Sequence, residues 1–92
     1  MSNETCRLLS IDAWRDSDNG WQWNSWYKVG DVPLAYCDLS ARALLRALRA
    51  DGFLSAASAG RCAVENDGYN VVIKARGTDE PVFAIEYGNI GQ

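Results

Sequence analysis

The sequence predicts an α+β fold: an antiparallel β-sheet in the order β-β-α-β-β-β, with one helix packed on one face. Three observations carry this reading. Residues Asp38 to Leu54 (DLSARALLRALRADGFL) hold an apolar pattern of helical period. Most of the remainder falls into short runs that alternate with period two, as strands with one buried face do. Between those runs stand clusters of Asp, Asn, Ser and Gly, which form turns because their short side chains replace backbone hydrogen bonds and tolerate positive φ. Ninety-two residues make one domain, 1–92, since two cores of that size would not offset chain entropy.

The elements follow in order. The polar residues 1–5 are expected to fray. Cys6 to Arg15 reads as a strand, with Leu9, Ile11 and Ala13 on one face and Leu8, Ser10, Asp12 and Trp14 on the other. Asp16-Ser17-Asp18-Asn19-Gly20 turns the chain into a second strand, Trp21 to Val29. Strict alternation puts Trp21, Trp23, Ser25, Tyr27 and Val29 on one face and Gln22, Asn24, Trp26 and Lys28 on the other. Gly30 and Asp31-Val32-Pro33 are expected to break this strand, and Leu34 to Cys37 to connect it to the helix.

In the helix, Ala41, Leu44, Leu45 and Leu48 recur at i, i+3, i+4, i+7 and define the buried face. Asp38 or Ser40 can cap its start. Gly52 supplies the left-handed residue that ends it, and Phe53 then folds back onto Leu48 in a Schellman stop. Ser55–Gly60 reads as a loop. Arg61–Glu65, Tyr69–Arg76 and Val82–Tyr87 are the last strands, joined by Asn66-Asp67-Gly68 and by the turn over residues 77–81. Gly88–Gln92 reads as a loose tail. The expected core sets the helix leucines and Phe53 against Leu9, Ile11, Val71, Ile73, Phe83 and Ile85.

Composition narrows function mainly by exclusion. The net charge of −3 opposes nonspecific affinity for nucleic acid or anionic membrane. No apolar run approaches the roughly 20 residues that span a bilayer. Cys6, Cys37 and Cys62 form an odd set without CxxC spacing, and the start MSNETCR has no apolar signal core. Free thiols and a reducing cytosol are therefore expected. The chain has no histidine, which removes the commonest general base and metal ligand. No phosphate-binding glycine loop is present, and Asp16–Gly20 places its glycine one position too early for an EF-hand. Glu65 and Glu86, read as lying on neighbouring strands, are the best carboxylate pair. Cys37, ahead of the helix, reads first as a small buried filler, with a nucleophile whose pKa the helix dipole lowers as the alternative. Neither has a base or orienting partner in view, so neither an enzyme nor a cofactor is expected.

Two constellations remain. Trp14, Trp21, Trp23, Trp26 and Tyr27 concentrate on one hairpin, and a sheet covered on one side cannot bury both of its faces. Either the surplus rings pack under Val32–Cys37, or they form a recognition surface of the kind in which Trp, Tyr and Arg dominate. Stacking on bases or sugar rings is a further use, opposed by the acidic hairpin tip. Arg42, Arg46 and Arg49 form a stripe opposite the leucines: a solvated face, or a ridge for an acidic partner or a phosphate backbone. Turn carboxylates at Asp16, Asp18, Asp31, Asp67, Asp79 and Glu80 would imitate a phosphate row.

The whole chain, being short, acidic and without catalytic motif, resembles the small orphan proteins carried by phages and prophages, the anti-CRISPRs among them. The resemblance is one of size and character and carries no residue role across. It implies an inhibitor that works by binding in the host bacterial cytosol. The expected function is a non-enzymatic module that docks on a host protein or defence complex through Trp14, Asp16, Asp18, Trp26, Tyr27, Arg42, Arg46 and Arg49. The alternative is a nucleic-acid-binding regulator using the arginine stripe and an exposed Trp. A homodimer through the uncovered sheet face or the last strand's edge would hide the surplus aromatics.

Overall fold

Side chains drive the first chain reversal. The computed structural model describes residues 4–66 and 70–86, and β1 (Thr5–Asp16) and β2 (Gly20–Pro33) form one long antiparallel hairpin in it. The Asp16 carboxylate accepts hydrogen bonds from the Asp18 backbone N–H at 2.9 Å and the Asn19 side-chain amide at 3.1 Å. Gly20 follows at φ 76°, a value glycine adopts without strain.

Gly30 does not break β2. A Cβ there would lie 2.7 Å from Cζ of Phe53, so the glycine admits an aromatic ring against the strand backbone. The strand runs on to Pro33, which pairs with Thr5 at its end.

The connector to the helix forms a 3₁₀ turn, Leu34–Asp38. The main helix, α1 (Ala41–Ala50), is capped by Ser40, whose hydroxyl accepts from the Ala43 N–H at 3.3 Å. Its C-terminus is the expected Schellman stop: Phe53 N–H donates to Leu48 C=O at 2.9 Å and Gly52 N–H to Arg49 C=O at 3.1 Å, with Gly52 at φ 87°. Ser55–Gly60, expected as loop, contains one helical turn, α2 (Ala56–Ala59), capped by Ser55.

Three strands complete the sheet: β3 (Cys62–Asn66), β4 (Asn70–Ala75) and β5 (Glu80–Glu86). Strand β5 starts two residues earlier than alternation suggests, and Pro81 is accommodated at a register shift between Ile73 and Lys74. Asp67, Gly68, Tyr69, Tyr87 and the tail lie outside the described residues.

The architecture is a five-stranded antiparallel sheet with one main helix. The order β-β-α-β-β-β is interrupted by the 3₁₀ turn and α2. Spatially the strands run β2-β1-β5-β4-β3, so the first strand pairs with the last. The edge of β5, one of the two homodimer routes, is therefore occupied on both sides.

On the helix side, Leu8, Val71, Ile73 and Ile85 meet Leu44, Leu45 and Leu48, with Phe53 and Phe83 packed against them. Ala41 is exposed. Leu9 and Ile11, expected in this core, face the other way: Leu9 sits opposite Ala84, and Ala84 opposite Val72. All four are buried. Both Leu8 and Leu9 lie under cover, so alternation along β1 does not choose the helix side. The sheet carries apolar residues on both faces.

All three cysteines are free, Cys6 and Cys62 buried and Cys37 half-buried. No helix among the described residues is long and apolar enough to cross a membrane.

Candidate functional site

Two irregularities in the hairpin decide where its aromatic rings go. Asp12 pairs with Ser25 but Ala13 pairs with Trp23, which leaves Asn24 as an extra residue on β2. Leu8 pairs with Gly30 and Leu9 with Lys28, which leaves Val29 extra. Each such bulge reverses the alternation. Trp26, opposite Ile11, therefore shares the helix-free face with Trp23, opposite Ala13, and with Trp21, opposite Arg15. Strict alternation, by contrast, separates Trp26 from the other two.

Trp23 and Trp26 meet edge to face, centroids 6.0 Å apart at 69°. The Arg15 guanidinium lies 5.9 Å from the Trp21 ring centre. Trp21 Nε1–H donates to the Thr78 carbonyl at 2.9 Å, which ties the hairpin to the turn between β4 and β5. Trp21 and Trp23 thus bend over the far side of the sheet and are half-buried, lining a cleft of about 500 Å³ floored by Val72 and Pro81. These half-buried rings lie beside β4 rather than under Val32–Cys37.

Trp14, Trp26 and Tyr27 remain 49%, 54% and 63% exposed, Trp26 with one edge against Trp23. Tyr27 pairs with Ser10 and Trp14 with Gln22, which sets these two on the side of the hairpin opposite Trp26. The exposed rings therefore flank both faces of one projecting ribbon. Asp18 is exposed at its tip, whereas Asp16 is spent on the turn. The two hydrogen bonds it accepts hold its carboxyl below the ordinary range.

The remaining expected residues lie elsewhere. Arg42, Arg46 and Arg49 are exposed on α1, which packs toward β3. Strands β2 and β3 are opposite edges of the sheet, so the arginine stripe and Trp26 do not form one surface. Arg76, which the sequence did not single out, joins the stripe across a groove between α1 and β3. No periodicity marks it; only the pairing of β4 with β3 brings it there.

Glu65 and Glu86 are not on neighbouring strands, because β4 lies between them. Glu65 pairs with Lys74 at 2.6 Å and Glu86 with Arg7. Cys37 carries no lowered pKa. Its Sγ lies 3.7 Å from that of Cys6, and burial first, then the neighbouring thiol, push it up to about 12. Such a group is protonated and a poor nucleophile at neutral pH.

No family model, curated protein or solved structure matches the chain. The functional reading therefore rests on this geometry.

Proposed function

We propose that this protein is a non-enzymatic binding module that docks on another protein through the β1–β2 hairpin and blocks the surface it covers. One observation carries the reading: Trp14, Trp26 and Tyr27 remain about half or more exposed on one ribbon, although the sheet has apolar layers on both faces. Large aromatic rings left in water supply much contact area at low entropic cost and dominate interface energetics. Asp18 at the tip adds a carboxylate, which favours a partner whose apolar pockets are rimmed by basic side chains. The character shared with phage-borne inhibitors makes a bacterial host protein or defence complex the first partner to seek.

The test is capture from bacterial lysate by the tagged protein and by its Trp26→Ala and Asp18→Asn variants. A stoichiometric protein retained after nuclease treatment, and lost with Trp26→Ala while the fold persists, is the expected result. Equal recovery by all three would contradict the proposal.

A further inference from the structure

The groove between α1 and β3 concentrates positive charge that the described residues leave without an acidic partner. Arg42, Arg46 and Arg49 line one wall and Arg76 the other, around a floor that includes Leu45 and Val64. The volume is about 680 Å³, and among the described residues no carboxylate lines it. Lys28, Arg7 and Lys74 each pair with an acid. Among the described residues, Arg42, Arg46 and Arg49 make no such pair. Arg76 is held in place by donating from Nη2 to the Cys62 carbonyl at 3.3 Å. Four cations set together raise one another's energy, and a bound anion relieves this.

We propose that this groove binds an extended acidic segment of a partner protein. Spacing supports the choice. Arg42 and Arg46 are separated by about 6 Å along the helix axis, four residues at 1.5 Å each. Alternate side chains of an extended chain repeat at about 6.6 Å. Acids two positions apart therefore meet Arg42 and Arg46, and guanidinium groups bind carboxylates bidentately. The floor argues against a nucleic-acid strand. Leu45 and Val64 offer no aromatic plane for a base to stack on, and among the described residues no Trp, Tyr or Phe lines the groove. An apolar side chain of a peptide covers that floor. This surface is separate from the aromatic hairpin, so either can be right without the other.

The experiment is fluorescence anisotropy with three labelled probes at low salt: a peptide of alternating Glu and Leu, its Gln-for-Glu counterpart, and an oligothymidylate. The Glu peptide is expected to bind most tightly, with its affinity falling as salt screens the charges. Arg46→Gln and Arg42→Gln should each weaken it roughly three- to ten-fold, with unchanged circular dichroism, while Trp26→Ala leaves it alone. Equal binding of the Gln peptide, indifference to Arg46→Gln, no binding of the Glu peptide at all, or preference for the oligothymidylate would each overturn the proposal.

Discussion

At the scale of single residues, burial and local hydrogen bonds outweigh position along the chain. Cys37 stands close before α1, where the helix dipole would favour a thiolate. Desolvation beside Cys6 acts the other way and wins, because a charge leaving water loses more than a distant dipole returns. At pH 8 the native protein should therefore react only slowly with iodoacetamide at Cys37, and completely once denatured. Rapid native labelling, mapped by mass spectrometry, would refute the burial account. Asp16 shows the opposite shift. Its folded pKa lies below the ordinary 3.8, so its contribution to the hairpin turn is present above that range and fades as pH falls through the folded value. An NMR titration of the Asp16 carboxyl should give a midpoint under 3.8; one at or above it would mean that the turn hydrogen bonds do not form in solution.

At the scale of elements, what sequence can show depends on whether a signal is local. The helix was legible to its last residues, since Ser40, Gly52 and Phe53 act within one turn of the sites they cap. The Asp16–Gly20 turn was legible for the same reason. The bulges at Asn24 and Val29 were not, because a bulge exists only relative to the partner strand. Without them the faces of Trp26 and Tyr27 come out reversed. Gly30 misled in a similar way: its use is to admit Phe53, a residue 23 positions on. Gly30→Ala should accordingly destabilise by about 1–3 kcal/mol through overpacking. In the main core, Leu48→Ala and Ile73→Ala should each cost about 2–5 kcal/mol. Urea unfolding checks both. A Gly30→Ala midpoint equal to the parent's would show that the ring does not press on the strand, and parent-like Leu48→Ala would displace the core.

At the scale of the whole molecule, the pairing of β1 with β5 organises everything else. It joins the N-terminal hairpin to the C-terminal meander, buries apolar residues on both faces of the shared strands, and sends β2 and β3 to opposite edges. Nothing local in Arg7–Ser10 or Phe83–Glu86 announces that contact. The candidate site was therefore only half legible. Its residue types stood out, but their grouping did not: the aromatics lie at one edge, and the arginines, joined by Arg76, at the other. The central claim is that the exposed hairpin rings bind a protein partner and contribute little to the fold. The most direct measurement is the calorimetric affinity for the captured partner of the parent, Trp26→Ala and Tyr27→Ala, alongside their urea unfolding curves. At least one ring should cost about 2 kcal/mol or more of binding, with stability changed by about 1 kcal/mol or less. Full affinity in both variants, or an affinity loss that only tracks unfolding, would contradict it.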